Sequence, residues 1–501
     1  MPQIDPAFTD LAPERLADAA LGNARLRGAE HADFRLERIR VGTLRFRDGQ
    51  LDTSADTEDL GIAVRVVHDG AWGFASGVAR TPEAAATLTE QAIAAARVSR
   101  VLSSDPVVLA DEPVYAKTSW ISAYDVDPFD VAEDERIGRL AELSDRLLSA
   151  DGVDHVDAHL MHVRENKFYA DAAGTSTMQQ RVRLQAQFTA VHVDQAAGTF
   201  FSMRTLAPPV GRGWEFLTGT GWDFDREIDE LPGLLAEHVK APSVEAGRYD
   251  LVIDPSNLWL TIHESIGHAT ELDRALGYEA AYAGTSFATP DQLGSLRYGS
   301  PIMNVTGDRV VEHGLATIGY DDEGVATQQF DIVRDGVLVG YQLNRQMARE
   351  NGMGRSNGCA FADSPGHIPL QRMANVSLQP APDGPTTADL ISRVERGIYI
   401  LGDRSWSIDM QRYNFQFTGQ QFFRIENGQL AGQLRDVAYQ ATTTNFWGSM
   451  EAIGGPETYV LGGAFNCGKG QPGQIAAVSH GCPSALFRGV NVLSTVAEGG
   501  R

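Results

Sequence analysis

The sequence predicts an α+β protein: an N-terminal mixed α/β region built on antiparallel hairpins, then a C-terminal β-rich domain carrying a distorted HExxxH helix. Three observations predict this. Runs of strand-like residues turn at Asp48-Gly49, Asp69-Gly70, Asp335-Gly336 and Asn427-Gly428, pairs that supply the left-handed backbone a tight hairpin needs. Helix-period segments are few beyond residue 246. The 501 residues, 43% of them apolar, exceed one ordinary core, so at least two domains are expected.

The elements follow in order. Residues 13–29 have helical character. Residues 34–54 and 61–77 form two hairpins. Thr81 and Pro82 are placed to cap and open a helix that runs to about Val101. Residues 103–132 link to a helix over 134–149. Strands occupy Val153 to about Met203, with turns near Ala173-Gly174 and Ala197-Gly198. The stretch 205–245, rich in Gly, Pro and acidic residues, marks a domain boundary. Helices then interrupt the strands only at 255–270, 341–351 and 386–396. The division expected is an N-terminal α+β subdomain over 1–120, a helix-plus-strand subdomain over 121–240, and a β-rich domain over 241–501.

Bulk properties remove several function classes. The net charge is −24, which repels nucleic acid and anionic membranes, and no basic block with interleaved aromatics offsets it. Three cysteines, Cys359, Cys467 and Cys482, are too few for a disulfide framework. The first residues lack a basic start and an apolar stretch, and no apolar run approaches the ~18 residues of a membrane span. A cytoplasmic protein without nucleic-acid or membrane partners is expected.

The chemistry concentrates in YDLVIDPSNLWLTIHESIGHATELD. Tyr249 to Ile253 reads as a strand, Asp254 as a helix cap and Pro255 as the first helical residue. Leu258, Ile262, Ile266 and Ala269 make an apolar stripe, and His263, Glu264 and His268 lie off it. Neutral imidazoles bind zinc, and a neighbouring carboxylate takes a proton from water. The common zinc motif spaces its histidines at i and i+4. Here the spacing is i and i+5, about 140° apart on a regular helix instead of about 40°. One extra residue in the turn, a π-bulge, would realign the pair, and Gly267 eases it. The helix is therefore predicted to be irregular there. Two unrelated helix histidines are the alternative.

A third ligand must come from elsewhere. Cys467 lies in LGGAFNCGKGQPGQ, read as a glycine-rich loop in which Lys469 would favour the thiolate; an inert buried cysteine is the alternative. Glu271 and Asp273 are candidates for orienting the imidazoles, or solvated charges at a helix end. Arg355 and Arg372 are candidates for holding a carboxylate. His155, His159 and His162 fall on a strand, with His162 on the opposite face from the other two. His480 and Cys482 form a weak thiol–imidazole candidate. Asp321-Asp322-Glu323 reads as a solvated turn.

The set His263-Glu264-x-x-Gly267-His268-x-x-Glu271-x-Asp273, with Cys467-Gly468-Lys469 before Gly470-Gln471, resembles the TldD/PmbA metallopeptidase family. Residues 69–76 (DGAWGFAS) and Arg372-Met373-Ala374-Asn375 resemble further segments of it, and the likeness spans about 33–495, with 400–450 departing most. The resemblance implies a catalytic TldD-type subunit with one Zn²⁺ on His263, His268 and Cys467, and Glu264 as general base. It implies a peptide substrate, small or unfolded, and a heterodimer with a PmbA/TldE-type homologue, a homodimer being the other possibility. A regulatory subunit with a structural zinc, and a metal-dependent amidase, are the rival functions.

Overall fold

The computed structural model describes residues 3–103 and 105–498. The first hairpins form as expected. Strands His31–Arg47, Gln50–His68 and Ala71–Gly77 turn at the Asp-Gly pairs, where Asp48 and Asp69 both take positive φ. His31–Arg47 also pairs with His155–Asp171, and that strand with Ser176–Asp194. One seven-stranded sheet thus takes strands from both sides of residue 120. It carries two separate cores. One lies under the helices Pro13–Leu26 and Pro82–Leu102, the other under Glu133–Leu148 and Phe224–Lys240.

That last helix lies within 205–245, the stretch expected to mark a domain boundary, and was not itself expected. Asp223 caps it, and Ile228, Leu231 and Leu235 bury one helical stripe. Pro232 and the acidic residues around it disguised that stripe.

In the C-terminal body, five strands close on themselves. In order around the ring they are Arg396–Ile408, Gly247–Ile253, Ala485–Ser494, Val437–Thr442 and Asn414–Glu426. Closure leaves these five strands without a free edge. Arg345–Glu350 and Thr387–Ser392 are the short helices expected, and Thr443–Gly448 adds one that the sequence did not suggest. The chain leaves Ile253 and enters the helical segment Pro255–Thr270 directly, capped by Asp254, whose side chain accepts from the Ser256 N–H. No helix among the described residues is long and apolar enough to cross a membrane.

The two bodies meet through buried charge. Lys167 pairs with Asp322 at 2.8 Å and Glu37 at 2.6 Å, and Arg65 with Asp33 at 2.8 Å and Glu323 at 3.1 Å. Asp321 accepts the backbone N–H groups of Glu323, Val325 and Ala360. The triad Asp321-Asp322-Glu323 is therefore interior and not a solvated turn.

Candidate metal centre

The helical segment holding the motif changes pitch where the spacing demands it. Pro255–Ile262 is α-helical, His263–Gly267 is π-helical and His268–Thr270 is a 3-10 turn. The His268 N–H donates to the His263 carbonyl, five residues back. This wider turn brings the two imidazoles to one side, ring centroids 4.7 Å apart.

A wide turn releases carbonyls from the regular ladder, and side chains take them. Tyr298 donates to the Ser265 carbonyl, Thr270 to that of Ile266 and Gln342 to that of Gly267. Gly267 has an ordinary helical φ of −53°, so conformational freedom is not its purpose. A side chain there would run into the Met373 sulfur.

Cys467 lies in the strand Val460–Lys469, not in a loop. Its five nearby glycines hid the strand, which is held by pairing with Gln474–Cys482. The register slips between Ala464 and Cys467, and such a bulge re-aims a side chain. The Cys467 sulfur lies 3.7 Å from His268 Nε2. Two such ligands on a tetrahedral zinc would stand about 3.6 Å apart, from Zn–N and Zn–S bonds of ~2.0–2.3 Å. Donor atoms of His263, His268 and Cys467 all lie within 4.8 Å of one another.

Both histidines have Nδ1 engaged, which leaves both Nε2 atoms for an ion. His268 Nδ1 donates to Glu271 at 2.9 Å. Glu271 is held in turn by Lys469 and Arg274. His263 Nδ1 lies 2.7 Å from His480 Nε2, while His480 Nδ1 donates to the Val376 carbonyl at 2.8 Å. Burial, reinforced by the neighbouring His263 ring, outweighs the bond to the Val376 carbonyl and holds His480 well below the usual histidine range. It is thus neutral and able to accept from His263.

The donor set suits a thiophilic divalent ion. Burial pushes the Cys467 thiol up, but the His268 ring and Arg372 pull harder, and the net shift is downward. Arg372, not Lys469, is the cation beside this thiol. Lys469 spans Glu271 at 3.0 Å and Asp273 at 2.8 Å. Burial raises Glu264, yet His268, His263 and Arg412 outweigh it, so this carboxyl titrates below its ordinary range.

The site opens on a cavity of about 680 Å³. Its walls come from both bodies: Gln185, Arg204 and Trp222 from one, Trp259, Trp406 and the strand residues 460–468 from the other. Arg204 bridges the two by pairing with Asp403 at 2.7 Å.

Glu271, Asp273 and Lys469 lie beside the cluster. Two expected residues do not line the cavity. Arg355 is half exposed, held by Glu112, and does not line the cavity. Arg372 is buried and spends its donors on the carbonyls of Cys467 and Gln474. His162 is buried on the face opposite His155 and His159, as alternation requires. His480 and Cys482 make no dyad, since Cys482 faces the Pro255 carbonyl. Sequence reasoning missed His480 as the partner of His263, and Arg412, which donates to Glu264 at 2.7 Å.

The chain is similar to known proteins. A family model described as PmbA/TldA metallopeptidase C-terminal domain matches residues 246–494, and one described as PmbA/TldA metallopeptidase domain 1 matches residues 32–96. A protein named Metalloprotease from Methanothermobacter thermautotrophicus is 28% identical over 472 residues, covering 93% of this chain and 96% of the relative. The Zinc metalloprotease TldD homolog of Saccharolobus solfataricus is 23% identical over 478 residues, covering 93% and 97%. The crystal structure of TldE from Thermococcus kodakarensis shares the fold, with a TM-score of 0.72 and 14% identity over 95% of this chain and 99% of that one. The chain belongs to the PmbA/TldD metallopeptidase family.

Proposed function

We propose that this chain is the catalytic subunit of a zinc-dependent peptidase that hydrolyses small or unfolded peptides, with one zinc per chain. The observation that carries the reading is the convergence of His263, His268 and Cys467, with both imidazole Nδ1 atoms already engaged. When bound there, zinc supplies a Lewis acid that polarises a carbonyl and acidifies water. His263, His268 and Cys467 hold it. Glu264, next to His263 and lining the cavity, takes a proton from the attacking water and returns it to the departing amine.

A structural zinc in a regulatory subunit would need a fourth protein ligand. Glu264, Glu271 and Asp273 are the acidic residues at hand, and all are paired with cations, the first with Arg412 and the other two with Lys469. That favours an open fourth position. An amidase acting on small molecules is disfavoured by the long cavity wall along residues 460–468, whose strand pairs on one side only among the described residues. That free edge suits an extended peptide backbone.

The partner is expected to be a PmbA/TldE-type homologue, and native mass measurement of the purified protein decides between this and a homodimer. A chelator and Glu264→Gln should each abolish cleavage of an unstructured peptide, with zinc restoring the first and not the second. Cleavage that survives Glu264→Gln would remove the mechanism.

A further inference from the structure

We propose that Arg412 contacts the substrate: besides holding Glu264, its guanidinium donates to the carbonyl oxygen of the peptide bond being broken. The inference rests on the peptidase reading above.

Arg412 sits in the turn between Arg396–Ile408 and Asn414–Glu426, with a φ of 62°. A left-handed backbone is costly for a side-chain-bearing residue and persists only where its surroundings fix it. They do so from three sides. Asp409 accepts the N–H groups of Gln411, Tyr413 and Asn414. The carbonyls of Met410 and Gln411 accept from Thr285 and Phe287. The Arg412 carbonyl takes the Thr443 hydroxyl. This rigid seat delivers one cation to the cavity wall beside Glu264.

The guanidinium is under-used there. Arginine has five N–H donors. Nη1 meets Glu264 at 2.7 Å, and Nη2 meets the Ala283 carbonyl only at 3.4 Å. Nε is buried with no partner. The pairing with Glu264 is a single bond and not the two-bond fork that arginine and carboxylate ordinarily make. Arg204, the other arginine lining the cavity, turns to the side chain and carbonyl of Asp403, away from Glu264. Arg412 is therefore the cavity arginine that stands beside Glu264 and still has N–H donors without a partner.

The position selects the acceptor. Water adds through its oxygen to the carbonyl carbon while its proton passes to Glu264. The π pair moves onto the carbonyl oxygen. That pair then returns to re-form the carbonyl, the C–N bond breaks with its electrons leaving on nitrogen, and the nitrogen takes the proton from Glu264. Negative charge thus grows on an oxygen next to Glu264, and a cation there binds more strongly as the reaction proceeds.

The test separates contact with substrate from action through Glu264. Zinc-loaded full-length protein, with any co-purifying homologue, is titrated with a phosphinic tripeptide analogue, whose anionic oxygens mimic the tetrahedral carbon. Arg412→Gln is made in the native chain and in the inactive Glu264→Gln chain, and Arg412→Lys in both. Zinc content and melting temperature confirm folding. If Arg412→Gln does not fold, Arg412→Lys carries the comparison.

At least about a tenfold loss of analogue affinity in the Glu264→Gln background is expected, the order of effect of removing an oxyanion donor. Loss in the native background but none in Glu264→Gln would overturn the proposal and leave Arg412 a positioning residue. Failure of the peptidase reading looks different: the unsubstituted chain would then neither cleave peptides nor bind the analogue.

Discussion

At the scale of single residues, the two histidines proposed as ligands are oriented by unlike partners. His268 leans on the carboxylate of Glu271, which is anchored by Lys469 and Arg274. His263 leans on a neutral imidazole, His480, stacked on Trp259 and tied to the Val376 carbonyl. Such outer partners fix the tautomer of a ligand, and losing one costs about 10–100-fold in metal affinity. His480→Ala is expected to weaken zinc binding by that order in a chelator-competition titration. His480→Gln, whose amide oxygen can accept from His263, should recover much of it. Equal affinity in all three proteins would reduce His480 to a space filler. The proposed ligands were legible as candidates because they sit in one short motif and a cysteine segment resembling a family. His480 was not. In sequence its only neighbour of interest was Cys482, and both point at the same helical segment. They land two turns apart on it, one at Pro255 and the other at His263.

At the scale of elements, the five-residue histidine spacing was informative because a regular helix cannot satisfy it. The angle alone demanded a wider turn, and the turn is present. What the angle could not reveal was who accepts its consequences. Tyr298 and Gln342, which take the released carbonyls, lie far along the chain. The same is true of Met373, which crowds Gly267. Gly267→Ala should destabilise the fold by about 1–3 kcal/mol, the usual cost of overpacking, as read from urea unfolding. Adding Met373→Ala should return part of it. A neutral Gly267→Ala would show that the crowding relaxes freely. The strand of Cys467 was misread for a related reason. Glycines argue against a strand locally, and only pairing with Gln474–Cys482, invisible to composition, overrides them.

At the scale of the whole molecule, the hairpin pattern and fold class were readable from turn chemistry and alternation. The seam between the bodies was not, because charges that look solvated in sequence meet partners more than a hundred residues away. Glu37 is one of these, facing Lys167, Arg35, Asp322 and Glu165. Burial, reinforced by the carboxylates of Asp322 and Glu165, raises it to about 7 from 4.5 despite Lys167 and Arg35. A carboxyl raised on folding binds its proton more tightly in the native state. Its contribution is full below the unfolded value and is lost as pH rises through the folded one. Between pH 4.5 and about 7, this group should therefore erode stability. Urea midpoints across that range should fall less steeply in Glu37→Gln than in the native protein.

The cavity walled by both bodies, about 680 Å³ in volume, has a consequence for what the protein would select. A folded domain cannot enter such a space, but a loosened chain can. Cleavage would then report a client's own folding equilibrium more than the residues around its scissile bond. Where opening is fast relative to cleavage, the rate follows the unfolded population. Each ~1.4 kcal/mol of client stability should slow cleavage about tenfold. A set of point mutants of one small client, graded in stability but identical at the cut site, should fall on that line.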